Sequence, residues 1–260
     1  MHTETASLPG DPGRPNEDWA AAAVPASGRG GALVVLDGVT PPSADVGCAH
    51  PVPWFTARLG GALTELSVSR PDLTLAQVLA EAICRTADSH SDTCDLSHVR
   101  TPQATVALAR WDAEAVEHLV LSDSVLLLES PGGEVRVVRD GRLDLVPPEV
   151  LRSHAATDRL RNAEGGFFTA AADPAVAARA VTGVTPRSAV RAVAALSDGA
   201  ARWVELFGEG DWADCVAVLR GEGARGLLGR VRALEAREAG AAGGRRRKRH
   251  DDATVVYAEL

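Results

Sequence analysis

The stretch "RHDDATVVYAEL" (249–260) reads as a β-strand over Ala253–Tyr257 that is entered through two adjacent carboxylates, Asp251 and Asp252, directly after the basic run Arg245–Arg249. Aspartate is a poor strand former and side-by-side acids repel, so the pair is either a solvated turn or part of an anion cluster gathered for a reason. Other strand ends carry the same signature. "VVLDG" (34–38) ends in Asp37, "VLSDS" (120–124) contains Asp123, "ALSDG" (195–199) contains Asp198, and Glu17 and Asp18 precede the apolar "WAAAAV" (19–24). If these strands share one sandwich, one of its rims collects six or more acids from segments far apart in the chain. Such an oxygen-rich cluster suits hard divalent cations, which take carboxylate, carbonyl and water ligands.

The elements between these acids set the fold class. "GALVVLD" (31–37) is a continuous apolar run, which implies a strand buried on both faces. Apolar residues recur at helical spacing over 53–68 and 74–90, the second with Thr74 as N-cap. The segments 103–111, 115–124, 125–130 and 134–140 read as an antiparallel meander with "SPGG" and "RDGR" as turns. A helix is expected over 148–163, a capped helix over 173–183, and a strand over 188–199 that runs into an Asp-Gly turn. Further helices are expected at 200–207, 211–220 and 223–239. Strands cluster at both ends and in the middle with helical pairs between them, which favours α+β layers over a regular βαβ winding.

Composition narrows the function classes. The 260 residues are 45% hydrophobic and 24% charged, enough for a substantial core, with a formal net charge of −8. That charge argues against a nucleic-acid scaffold held by phosphate contacts and against a polybasic membrane binder. No stretch approaches the length of a membrane span and the N-terminus lacks a signal-peptide pattern, so a soluble cytoplasmic protein is expected. Cys48, Cys84, Cys94 and Cys215 form no C-x-x-C pair and no zinc-like grouping in sequence, so neither a structural metal nor a disulfide framework is expected.

Other single-residue candidates have plainer readings. His118 in an apolar strand and His154 in a helix lack partners at metal spacing and read as structural or surface residues. Ser197 lacks a G-x-S-x-G elbow, so a serine-hydrolase triad has little support. The "GGFFTAAADP" segment (165–174) suits a loop beside a site, with core packing of Phe167 and Phe168 the plainer reading. The run "RRRKR" (245–249), inside a flexible basic loop over 240–250, reads as solvated; a docking point for an acidic phosphoprotein is the functional alternative.

Taken in order, the acidic motifs resemble the metal-dependent protein phosphatase family (PPM, type 2C), and the resemblance spans essentially the whole chain. It rests on "RPNEDW" (14–19), "VVLDG" (34–38), "QATVALA" with "LSDS" (103–109, 121–124), "LSDGA" (196–200) and "DDATVV" (251–256). It implies a single 1–260 domain of two antiparallel sheets packed as a sandwich flanked by helices, with a dinuclear centre at one end. By similarity, Asp37 bridges two Mn²⁺ or Mg²⁺ ions; the Gly38 carbonyl and Glu17 serve one ion, Asp198 and Asp251 the other, and Asp123 a third, weaker one. Asp18 orients water, Arg14 binds phosphate, and Asp252 fills the Asn/Asp position beside Asp251. A water bridging two cations loses much of its basicity, so hydroxide is available near neutral pH to attack phosphorus in line. The implied reaction is hydrolysis of phosphoserine or phosphothreonine in a protein partner. A non-catalytic binding protein on the same fold and a hydrolase of a small phosphate compound remain as alternatives. The chain departs from the family pattern at Arg14, three rather than four residues before Glu17, at "VTPP" (39–42) after Asp37-Gly38, and at Ser122, where glycine is customary.

Overall fold

The computed structural model describes residues 1–27, 29–42, 45–240 and 249–260. Ten strands form two five-stranded antiparallel sheets. The first has the order β1 (His2–Leu8), β10 (Ala253–Glu259), β9 (Ala192–Leu196), β6 (Val125–Glu129), β7 (Val135–Arg139). The second runs β2 (Trp19–Ala23), β3 (Gly31–Gly38), β4 (Ala104–Trp111), β5 (Ala115–Leu121), β8 (Val181–Pro186).

The unbroken apolar run of β3 is explained by its two covered faces. Leu33 and Val35 point between the sheets and meet Leu126, Leu128, Val193 and Val256. Val34 and Leu36 point outward under α1 (Val52–Ser69) and α2 (Leu75–Asp88), against Leu59, Leu63, Leu79 and Ile83. The other sheet is covered by α5 (Asp198–Glu205) and α6 (Trp212–Gly240), whose Trp203, Leu227, Leu228 and Val231 pack on Leu127, Leu196, Val255 and Tyr257. The result is four layers, helices on sheet on sheet on helices. Alanines 107, 109, 195 and 258 occupy the inter-sheet layer and let the sheets approach closely.

Helix boundaries follow local chemistry. In α2 the Thr74 hydroxyl accepts from the Gln77 N–H at 3.3 Å while the Gln77 amide oxygen accepts from the Thr74 N–H at 2.9 Å, a reciprocal capping box. The long α6 turns at Gly223 (φ 76°), and Ala224 restarts the helix by donating its N–H to Glu4 Oε2 of β1 at 2.7 Å.

Four expectations are corrected. The segment 103–140 is not one meander: β4 pairs with β5 and β6 with β7, but β5 pairs with β8 and β6 with β9. The chain changes sheets at Ser122, which takes the left-handed conformation (φ 69°) usually left to glycine. Instead of one helix over 148–163 there are two short ones, α3 (Pro148–Leu151) and α4 (His154–Leu160), separated by Ser153, whose hydroxyl caps the second. The helix expected over 173–183 is a 3₁₀ segment, Pro174–Arg179, opened by the Asp173 side chain; the β-branched alternation of "VTGVTP" then makes β8, with Gly183 lying under the His118 ring. Finally, Asp198-Gly199 begins α5 rather than forming a turn. β1 went unread in the sequence, because an edge strand of alternating polar residues with only Ala6 buried carries no apolar signal. The basic run from Arg245 to Lys248 lies outside the described residues, as does most of the loop expected over 240–250.

His118 is 4% exposed, its Nδ1 has no hydrogen-bond partner, and burial, helped by the nearby Arg136 charge, pushes its pKa down to about 4. A histidine depressed in the folded state contributes stability that is complete above its unfolded value near 6.5 and fades as pH falls towards about 4. Thermal unfolding followed from pH 8 to pH 4 should therefore show a decline beginning below about 6.5, and His118→Gln should flatten that part of the profile.

Candidate metal centre

Antiparallel pairing decides which strand ends meet. β2, β4, β6 and β10 begin, and β3, β5 and β9 end, at the same rim of the sandwich. The acids at those ends therefore converge although they are spread from position 17 to position 252. Asp37, Gly38, Asp123, Asp198 and Asp251 line one cleft of about 750 Å³, with Thr105, Thr169, Arg161, Phe167, Arg202 and the 39–42 segment as its walls. Another cavity, of about 720 Å³, opens at the far end of β2–β5, where, among the described residues, the acids lining it are Asp112 and Glu117.

Backbone contacts lock the rim together. The Asp198 N–H, in the first turn of α5, points at Asp37 Oδ2 at 3.4 Å. Asp252 accepts from the Gly10 N–H and the Glu17 N–H, both at 2.7 Å, and so ties the N-terminal turn and the Glu17 segment to the last strand. The Thr40 hydroxyl donates to Glu17 Oε2. Gly38 and Gly199 are required by close approach: a Cβ on Gly38 would stand 2.4 Å from the Glu17 carbonyl oxygen, and one on Gly199 would stand 1.9 Å from that of Asp252.

Glu17 and Arg14 border the cleft from the side. They line a neighbouring depression with Asp252 and His250, and Thr40 and Asp251 are common to both openings. Arg14 is exposed, on a turn closed by its N–H to the Asp11 carbonyl. Asp18 lies deeper; its carboxylate oxygens are shielded from solvent, with the Thr254 and Ser197 hydroxyls as their nearest polar neighbours.

The electrostatics is that of acids with too few counter-charges. Burial, reinforced by Asp198, Asp18 and Asp123, pushes Asp37 well above the ordinary carboxylate range. Asp123 is raised to about 7 by burial and then by Asp198. Asp18 also reaches about 7; burial leads, the Thr254 and Ser197 hydroxyls pull the other way, and Asp198 and Asp252 add repulsion. A cluster of mutually repelling, desolvated carboxylates fits a divalent cation, which would supply the missing positive charge. All donors are oxygens, the set suited to Mg²⁺ or Mn²⁺.

Two cleft arginines were not found in the sequence. Arg161 follows α4 with its guanidinium 5.2 Å above the Phe167 ring; burial lowers its pKa, opposed by the Asp158 and Asp123 charges. Arg202 bridges Asp251 at 2.9 Å and Glu235 at 2.6 Å. Glu235, 2% exposed, is also paired with Arg232 at 2.6 Å and His250 at 3.0 Å, and Arg232 donates to the Asp251 carbonyl at 2.7 Å. Burial would raise Glu235, but His250, Arg232 and Arg202 outweigh it and hold it below its usual range. An amphipathic helix normally displays arginines to solvent, so neither residue carried a sequence signal. Phe167 and Phe168 are both buried, and Phe167 also lines the cleft. His154 lies in the cleft wall, and Ser197 is buried with its Oγ accepting the Thr254 N–H.

The fold has close counterparts among solved structures. A serine-threonine phosphatase 2C from Toxoplasma gondii aligns with TM-score 0.63 at 14% identity, over 98% of this chain and 93% of its own. The Mycobacterium tuberculosis serine/threonine phosphatase PstP aligns with TM-score 0.59 at 18% identity, over 100% and 98%. Serine/threonine phosphatase Stp1 from Staphylococcus aureus gives 0.58 at 11%, over 100% and 95%. No family model and no curated protein sequence matches the chain. The two packed sheets with their flanking helices are thus the fold of the PPM, type 2C phosphatases.

Two substitutions test how the rim is held. Glu235→Ala should cost about 3–5 kcal/mol in denaturant unfolding, because it removes the buried carboxylate that Arg202, Arg232 and His250 share. Gly199→Ala should cost about 1–3 kcal/mol, since its new methyl group must push the Asp252 backbone away, and the same variant should bind Mn²⁺ more weakly in calorimetry.

Proposed function

We propose that the chain is a member of the PPM family, folded as one phosphatase-like domain over 1–260, that hydrolyses phosphoserine and phosphothreonine in proteins with Mn²⁺ or Mg²⁺. The observation that carries this reading is the convergence of acids from separate strand ends on one cleft. In this reading Asp37, the Gly38 carbonyl, Glu17, Asp198 and Asp251 would hold two cations, and Asp123 would serve a third. The cations would activate water for in-line attack on phosphorus and neutralise a phosphate dianion that a chain of net charge −8 otherwise repels.

The remaining tasks fall to the protein. Asp18, dry and close to Asp198 and Asp252, orients water by accepting a hydrogen bond. Arg161 presents a planar guanidinium, backed by Phe167, to phosphoryl oxygens inside the cleft. Arg14, exposed at the side opening, meets the phosphate or the peptide that carries it. Arg202 and Arg232 fix Asp251 through its side chain and its carbonyl. Among the described residues no helix is long and apolar enough to cross a membrane.

The test is hydrolysis of p-nitrophenyl phosphate and of a phosphothreonine peptide with Mn²⁺, with Mg²⁺ and with EDTA. Turnover should require metal and fall to background in Asp37→Ala and Asp198→Ala, while Asp18→Asn should lose about 10–100-fold. A folded protein without turnover on either substrate would make a non-catalytic binding role the better reading; turnover confined to small phosphate esters would point to a small-molecule hydrolase.

A further inference from the structure

The loop that leaves the acidic rim after Gly38 returns to the body of the protein at Gly47–Pro51, just before α1, where it meets the segment following α2. Four side chains with soft or borderline donor atoms converge there: Cys48 and His50 from the loop, His90 and Cys94 from beyond α2. All four donor atoms lie within 4.8 Å of one another. His50 Nδ1 is 3.8 Å from Cys48 Sγ and 3.4 Å from Cys94 Sγ, His90 Nδ1 is 3.4 Å from Cys48 Sγ, and the two sulfurs are 2.9 Å apart. Tetrahedral zinc with sulfur at 2.3 Å and nitrogen near 2.0 Å has edges of about 3.3–3.8 Å between its ligands. These three sulfur–nitrogen separations already have that length, and the sulfur pair must open.

The surroundings suit thiolates and fixed imidazoles. The Ala49 N–H donates to Cys94 Sγ and the His50 N–H to Cys48 Sγ, each at 3.4 Å, and the Thr93 hydroxyl lies 3.6 Å from Cys94 Sγ. His50 stacks on Trp54 with centroids 4.0 Å apart, and His90, 4% exposed, meets the edge of the same ring at 5.2 Å. The loop is drawn to the α2 side by the Asp95 N–H donating to the Gly47 carbonyl at 2.6 Å. The expectation that the cysteines form no grouping with nearby histidines is corrected: the spacings, Cys-x-His and His-x₃-Cys, are short, and the two pairs are brought together by the packing of α1 against α2 and by the Asp95–Gly47 backbone bond.

We propose that Cys48, His50, His90 and Cys94 bind one structural Zn²⁺ that clamps the loop following Asp37-Gly38 onto the end of α2. Two thiolates and two neutral imidazoles cancel the zinc charge, so binding to the thiol form releases two protons: Zn²⁺ joins two S–H groups and yields two Zn–S bonds and two H⁺. A thiolate-imidazole set selects zinc over the oxygen-seeking Mg²⁺ or Mn²⁺, so this site is chemically separate from the carboxylate rim and stands independently of the phosphatase reading. Its structural consequence is local. The clamp fixes one end of a loop whose other end, through Thr40 and Glu17, belongs to the rim.

The decisive experiment uses the full chain, purified under reducing conditions without chelator. Elemental analysis should find one zinc per chain. Cobalt added to the reduced, zinc-free protein should give the intense visible bands of a tetrahedral site together with thiolate-to-cobalt charge transfer, and protons should be released on binding, approaching two per metal as the pH is lowered until both thiols are protonated. Cys48→Ser and Cys94→Ser should lose both signatures, whereas Asp37→Ala should keep them. A mercurial titration of wild type provides a second reading that does not depend on the variants folding: modification of two thiols should release the zinc to a coloured chelator. Absence of a thiolate–cobalt band in the folded, reduced chain would overturn the proposal. So would zinc retained by the double cysteine variant, or isolation of the chain as a Cys48–Cys94 disulfide that binds no cobalt after reduction.

Discussion

Repulsion among buried carboxylates is the constraint around which this molecule is arranged. Asp18, Asp37 and Asp123 are each only partly exposed, and each is pushed towards its protonated form by burial and by acidic neighbours. No packing gain from the acids themselves offsets that cost. The sheets nevertheless place them together, because the antiparallel alternation of strand starts and ends leaves them nowhere else to go. The surrounding arginine network acts on the edge of the cluster rather than its centre, with Arg202 bound to Asp251 and drawn back by Glu235.

The parts of the fold legible in the sequence were those whose side chains are covered. β3 announced itself as an apolar run because Val34 and Leu36 lie under helices while Leu33 and Val35 face the opposite sheet. α2 was bounded correctly by the Thr74 cap. What escaped was whatever depends on partners distant in sequence. β1 is polar and owes its extension to β10; β5 and β6 look like hairpin partners but belong to different sheets; and Gly183 ends no helix but makes room for a histidine across the strand. Local pattern carries periodicity and turn chemistry, and it carries no information about which sheet a strand will join.

The site divides along the same line. Its acids could be located because each marks a strand end, and strand ends are visible. Its cations were not, since Arg161 and Arg202 sit on segments that read as ordinary amphipathic helices. The cysteines were legible as single residues and illegible as a group, because Cys48 and Cys94 are neighbours only through the stacking of two helices. Chemistry contributed by the ends of regular elements is far easier to read than chemistry assembled across them.

The pairing of β1 with β10 has a kinetic side. His2 lies opposite Glu259, and β10 is held on its other edge by β9, so the sheet carrying Asp198 and Asp251 is closed by contacts spanning nearly the whole chain. Ordering so long a loop precedes the reward of pairing, which makes this sheet a late event in folding. A growing polypeptide would complete β2 to β5 and their helices first, carrying β1 and β9 as unsatisfied edges until the last strand arrives between them. During synthesis, the interval between those two events is when the chain is most exposed to edge-to-edge association with its own copies.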